Sequence, residues 1–92
     1  MVKVNVQPTG REGWVCEVTI EEGGSRTEHS VRVSAAELDR WGRREGEAGV
    51  EDLVRRSFAF LLERESPGSI LRRFDLSDIQ RYFSEFDDRI KR

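Results

Sequence analysis

The chain has 92 residues, of which 37% are charged and 36% hydrophobic, and its formal net charge at pH 7 is −2. A chain this short buries only about 60 to 65% of its unfolded surface in a single core. The length therefore predicts one domain, residues 1–92, and excludes a second. The balanced charge argues against a partner that is recognised by charge alone.

The scarcity of cysteine and histidine excludes several kinds of site. Cys16 is the single cysteine, so neither an intramolecular disulfide nor a paired-thiolate zinc site can form, and His29 alone cannot build a metal site from several histidines. The sequence has no glycine-rich phosphate loop and no nucleophile elbow near His29. We therefore expect no catalytic residues, no metal, no cofactor and no enzymatic activity.

The N-terminal residues lack the charged and apolar regions of a signal peptide. No apolar run approaches the roughly 20 residues that a membrane span requires. The sequence therefore predicts a soluble, cytoplasmic protein that does not bind a membrane.

Residues 2–33 alternate between apolar and polar with a period of two, as strands with one buried face do. Glycine-containing separators at 8–13 and 21–25 can supply the positive φ of tight hairpins. The pattern predicts a three-stranded antiparallel meander with one covered face and one wet face. The covered positions are Val2, Val4 and Val6; Trp14, Cys16, Val18 and Ile20; and Thr27, His29, Val31 and Val33. The wet positions are Glu17, Thr19, Glu21, Glu28 and Arg32.

A helix start follows the third predicted strand. Ser34 and Glu37 have the spacing of a capping box, and Val33 and Leu38 occupy the two positions of a hydrophobic staple. We expect a first helix that starts at Ala35 and either ends before Gly42 or continues to Arg44, and a polar, glycine-containing loop at 42–49.

A second helix is predicted from about residue 50 to residue 65, where a Ser-Pro-Gly sequence ends it. Its apolar arc of about 200° is wider than a surface helix needs, so we expect it to be the central helix. Glu51 with Arg55 and Asp52 with Arg56 have the i,i+4 spacing and order that favour ion pairs.

The C-terminal region predicts a third helix. Residues 69–74 are expected to form one or two helical turns before it. Two starts are open, one with Asp75 as the cap and Asp78 at the third position, and one with Ser77 and Gln80. Residues 88–92 are expected to fray. The apolar positions of this helix are Leu76, Ile79, Tyr82, Phe83 and Phe86.

These elements predict an α+β domain: a three-stranded antiparallel β-meander (1–33), followed by two or three helices (34–87) packed on one face. A three-stranded sheet with one apolar face needs such a cover to be stable. We expect Phe58, Ile79 and Phe83 to fill the space between the layers.

Three aromatic residues lie toward the edges of their helical arcs, and we expect them to bind a partner chain: Phe60, Tyr82 and Phe86. Aromatic side chains are favoured as interface anchors. The leading functional hypothesis is a small non-enzymatic interaction module that homodimerises or binds a protein partner through its C-terminal helices.

Residues 26–65 resemble a ribbon-helix-helix repressor, since a strand, a short helix, a glycine-containing loop and a longer helix follow in that order. The resemblance implies that Glu28, Ser30 and Arg32 enter the DNA groove and that the start of the second helix binds phosphate. Glu47, Glu51 and Asp52 at that start oppose phosphate contacts. A DNA-binding regulator, or an antitoxin-like protein, is therefore the alternative hypothesis, and nucleic acid is the disfavoured partner.

Residues 55–83, "RRSFAFLLERESPGSILRRFDLSDIQRYF", are similar to short bacterial and archaeal proteins of unknown function. The shared features are a Ser-Phe-x-Phe-Leu-Leu-Glu-Arg-Glu core and the Ile-Leu and Phe-Asp-Leu segments that follow. The resemblance implies a bacterial or archaeal origin and no particular activity. Ser84 departs from the pattern, which often has proline there.

Overall fold

The computed structural model describes residues 1–9 and 13–91, so half of the predicted turn at 8–13 lies outside the described residues, as does residue 92. Within them the chain is an α+β domain, which confirms the predicted class. Its strands are β1 (Val2–Pro8), β2 (Gly13–Glu22), β3 (Ser25–Ser34) and β4 (Arg73–Asp75). Its helices are α1 (Ala35–Trp41), α2 (Gly46–Leu62), α3 (Ser77–Tyr82) and α4 (Phe86–Arg89), with a 3-10 turn at Pro67–Ser69.

The predicted meander is present. β1 pairs antiparallel with β2, and β2 pairs antiparallel with β3. The hairpin between β2 and β3 turns at Gly23 and Gly24, whose φ values of 55° and 82° suit a two-residue turn with the twist of the strands. Val18 and Val31 lie on the covered face, whereas Glu17, Glu28 and Arg32 on the other face are exposed.

A fourth strand replaces the helical turns that we expected at 69–74. β4 runs parallel to β3, and the sheet order is β1-β2-β3-β4. The Ser30 N–H donates to the Arg72 carbonyl (2.7 Å), and the Leu76 N–H donates to the Arg32 carbonyl (2.9 Å). Phe74 is buried between these bonds because it packs on Phe58, with ring centroids 6.1 Å apart. The prediction of helical turns was wrong for residues 70–74, whereas Ser69 belongs to the 3-10 turn Pro67–Ser69.

The predicted capping box of α1 is confirmed. The Glu37 N–H donates to Ser34 Oγ (3.1 Å), and the Ser34 N–H donates to Glu37 Oε1 (2.8 Å). The second oxygen of Glu37 accepts the Ser77 N–H (3.1 Å), so one carboxylate binds the first turns of both α1 and α3. This shared contact fixes where the C-terminal segment crosses the start of α1.

The central helix α2 begins inside the segment that we predicted as a loop. Gly46 has a φ of 72°, and Gly49 is buried where a Cβ would overlap the Arg44 carbonyl. Both positions therefore require glycine, and here the glycines serve a tight helix start. Phe58 is fully buried in the middle of α2, as expected.

The third predicted helix is broken into α3 and α4. Phe83 has an extended conformation (φ −131°, ψ 92°) that ends α3, and the chain resumes helical at Phe86. At the start of α3, Asp78 accepts the Asp75 N–H (3.0 Å), which is one half of the expected box, but no side chain caps the helix through the reciprocal bond. The alternative pair, Ser77 with Gln80, does not form a cap either.

The break changes the direction of the chain after Phe83. The Phe86 ring turns inward and lies 5.2 Å from both Trp41 and Phe60, edge to face. Ile90 is also buried, and its carbonyl accepts a hydrogen bond from Arg56 Nη1 (2.6 Å). The expectation that residues 88–92 fray was therefore wrong for residues 88–90.

The aromatic cluster gives a direct stability test. Phe86→Ala should lower the free energy of unfolding by about 3 to 5 kcal/mol, because it leaves a cavity between Trp41 and Phe60. Tyr82→Ala is the matched control and should change it by less than about 0.5 kcal/mol, since that ring is exposed. Urea unfolding of both variants measures the difference. Equal effects would show that the break at Phe83 is misplaced.

Asp87 gives a pH-dependent test. The Trp41 indole N–H donates to its Oδ1 (2.8 Å), and this bond, with smaller effects of Lys91 and Arg40, lowers the pKa of the Asp87 carboxyl. A carboxyl whose pKa is lower in the folded state stabilises the fold at pH values above its unfolded pKa of about 3.9. That contribution is lost as the pH falls from there through the folded-state pKa.

The stability difference between wild type and Asp87→Asn should therefore shrink between pH 6 and pH 3 in urea titrations. Asp88→Asn removes the same charge from an exposed neighbour and controls for net charge. A difference that stays constant over this range would contradict the assigned role of Asp87.

Candidate functional site

The three aromatic residues expected to bind a partner do not share a surface. Phe60 and Phe86 are only 6% and 0% exposed, because the break at Phe83 turns Phe86 into the core beside Phe60. A partner cannot reach them in this fold, so that part of the prediction was wrong. Tyr82, in contrast, is 71% exposed, and its role in binding stays a prediction.

Tyr82 lies on the rim of an apolar cleft of about 250 Å³ between the C-terminal half of α2, the segment that leads into β4, and α3. Leu71, which is 50% exposed, lies on the same rim. We call this site the Leu71–Tyr82 cleft. Its apolar lining is completed by Leu61, Ile70, Phe74, Ile79 and Phe83, and its polar lining is Glu65, Ser69 and Asp78.

His29 fixes the backbone that carries Leu71. Its Nδ1 donates to the Leu71 carbonyl (2.8 Å), since a carbonyl can only accept, and its Nε2 lies 3.0 Å from Thr27 Oγ1. The ring is 2% exposed and packs on Phe58 at 5.6 Å. His29 is therefore a buried structural residue with both nitrogens hydrogen-bonded, and it holds Leu71 in place while the leucine side chain stays exposed.

The cleft has an acidic margin. Glu65 and Asp78 line it, whereas no lysine or arginine belongs to its lining in the described part of the chain. Asp78 also lies 3.6 Å from Arg81, which is itself largely exposed. The margin of the cleft therefore presents two carboxylates, and one of them is paired with Arg81 of the same chain.

The residues named by the ribbon-helix-helix resemblance lie elsewhere, on the outer face of β3. Ser30 Oγ donates to Glu17 (3.4 Å), and Arg32 Nε donates to Asp75 (2.7 Å), while Glu28 is exposed. In that family the strand pairs with its twofold mate. Here β4 occupies the edge of β3 from Ser30 to Arg32, so this stretch cannot form such a ribbon.

Cys16 has no chemical role that its environment supports. It is fully buried on β2, and burial, followed by the charges of Glu17 and Glu51, raises the pKa of its thiol to about 12. The thiol is therefore protonated at neutral pH and is a poor nucleophile.

Among residues 1–9 and 13–91, no three His, Cys, Asp or Glu residues are grouped so that they could hold a metal ion. None of the helices in this part of the chain is both long and apolar enough to cross a membrane.

Comparison of the chain with protein-family models, curated proteins and solved structures gave no significant match. Both resemblances noted in the sequence therefore stay predictions.

Sequence reasoning missed Leu71. A helical interpretation of residues 69–74 places Leu71 and Phe74 on one buried side, three residues apart. In the structure residues 70–72 are not helical and Arg73 begins β4; Ile70 and Phe74 are buried, whereas Leu71 is exposed. The Ser-Pro-Gly sequence just before it marks the end of the second helix but does not indicate the conformation of residues 70–74.

Proposed function

We propose that this chain is a non-enzymatic protein-interaction module that binds a partner through the Leu71–Tyr82 cleft. The observation that carries the proposal is the clustering of exposed apolar side chains. Apart from Met1, Leu71 and Tyr82 are the exposed large hydrophobic residues of the described chain, and both lie on the rim of one apolar cleft. Exposed apolar side chains that adjoin a groove favour an interaction site, whereas isolated ones do not.

The size of the cleft favours a protein partner over a small ligand. Its volume of about 250 Å³ is below the roughly 300 to 1,000 Å³ of pockets that enclose drug-sized molecules. A pocket of this size suits one large side chain, and interfaces commonly depend on a few such anchors seated in pockets. Tyr82 suits the rim because its ring offers apolar area and its hydroxyl tolerates water.

The acidic margin specifies the chemistry of the partner segment. Glu65 and Asp78 favour a lysine or arginine beside the anchor and disfavour an acidic residue there. The proposed partner is therefore a protein segment with one large apolar side chain that is next to a basic residue. A second copy of the chain is a further possible occupant, and the test below distinguishes it.

The test is selection from a random peptide library displayed on phage, followed by affinity measurement of the enriched peptides. Wild type should enrich peptides with an apolar anchor next to Lys or Arg. The double variant Leu71→Lys, Tyr82→Lys should bind them at least about tenfold more weakly, because its new charges would be desolvated on binding and would repel the basic residue of the peptide. Ala48→Lys, at the opposite end of α2 from Leu61, adds the same charge at an exposed site outside the cleft and is the matched control.

Three outcomes would contradict the proposal or redirect it. Equal binding of the peptides to the wild type and the double variant would overturn it. Self-association that the double variant abolishes would identify a second copy as the occupant. Binding to duplex DNA that falls steeply with added salt would favour the regulator alternative instead.

A further inference from the structure

β1 is an edge strand, and most of its outward backbone groups have no hydrogen-bond partner among the described residues. The Glu21 N–H donates to the Met1 carbonyl (2.8 Å), and the Thr9 N–H donates to the Gly13 carbonyl (3.0 Å). Backbone groups of alternate residues point to opposite sides of a strand. The N–H and C=O groups of the odd-numbered residues of β1 therefore point toward β2. The N–H and C=O groups of Val2, Val4 and Val6 therefore point away from the sheet.

Only one end of this edge has a protein partner among the described residues. Arg55 Nη1 donates to the Val2 carbonyl (2.8 Å), while Arg55 Nε contacts Glu51 (3.0 Å). No hydrogen bond between described residues reaches the outward groups of Val4 or Val6. Such a row of open donors and acceptors is a template for another strand.

We propose that β1 pairs antiparallel with β1 of a second copy, about a twofold axis at Val4. In this register Val4 exchanges both backbone hydrogen bonds with Val4 of the second copy, and Val2 does so with Val6. The Val2 carbonyl has two lone pairs, so it can accept from the second copy while Arg55 keeps its bond. The interface joins the two sheets into one.

The side chains of β1 are self-complementary in this register, as a twofold interface requires. On the inner face the valines lie opposite one another, and each of them is only half-buried in the single chain, so pairing covers apolar surface that is now wet. On the outer face Lys3 lies opposite Asn5, and no like charges face each other. This symmetry favours a second copy over an unrelated strand.

The opposite edge of the sheet lacks these properties. β4 is three residues long, and beyond it β3 carries the exposed charged residues Arg26 and Glu28. Short strands and charged side chains are the usual means by which proteins block edge pairing. The contrast identifies β1 as the edge suited to association.

The first test uses proline at the centre of the proposed ladder. The Val4 N–H points outward, so Val4→Pro removes an intermolecular donor without removing a bond to β2, and proline is tolerated on edge strands. Sedimentation should show a dimer for wild type. The dimer dissociation constant of Val4→Pro should be at least about tenfold higher, because both copies lose a hydrogen bond. Val4→Thr keeps the N–H and the branched shape, and should remain dimeric.

The second test reads the register and does not depend on how the proline variant folds. With Lys3→Cys and Asn5→Cys together, oxidation should link two chains covalently, because residues 3 and 5 of opposite copies would be a closely spaced pair, with Cα atoms about 4.5 Å apart. Lys3→Cys with Gln7→Cys is out of register and should link poorly.

A wild type that stays monomeric at high micromolar concentration, or equal cross-linking of the two cysteine pairs, would overturn the proposal. A dimer that Val4→Pro leaves intact but that Leu71→Lys with Tyr82→Lys dissociates would overturn it as well and would move the contact to the cleft.

Discussion

The parallel pairing of β4 with β3 is the interaction on which the rest of this structure depends. It brings residues that are about forty positions apart into one ladder, through the Ser30–Arg72 and Leu76–Arg32 backbone bonds and the His29 contact to Leu71. The pairing places Phe74 against Phe58, and it sets the point from which α3 starts. The Leu71–Tyr82 cleft exists because this segment is held there.

The two proposed binding surfaces lie at opposite edges of the sheet. β1 forms one edge, and the cleft lies beside β4, which forms the other. A dimer through β1 would therefore leave both clefts accessible. Two clefts on one particle would raise the apparent affinity for a partner that presents two anchors, without any new contact in either cleft.

Short-range signals in the sequence predicted the local structure well, and long-range pairing was missed. The Ser34–Glu37 capping box and the Gly23–Gly24 hairpin are each specified by residues next to one another in the chain, so a short stretch of sequence is enough to predict them. β4 is three residues long and is specified by its pairing with β3, which no local period reveals. For the same reason Leu71 was missed at the candidate site. The break at Phe83 was not recognised, so Phe86 was predicted at the partner-facing edge of a helix when it lies in the core. The exposure of Tyr82 was anticipated.

Native-state hydrogen exchange at two amides tests the role of β4 most directly. The Ser30 and Leu76 amides donate across the β3–β4 pairing, whereas the Glu28 amide points to the same edge of β3 beyond the end of β4. If β4 is docked as described, Ser30 and Leu76 should exchange as slowly as the amides between β2 and β3, and Glu28 should exchange fast. Exchange of Ser30 and Leu76 as fast as that of Glu28 would show that β4 does not pair stably with β3, and would contradict the account of the fold and of the cleft.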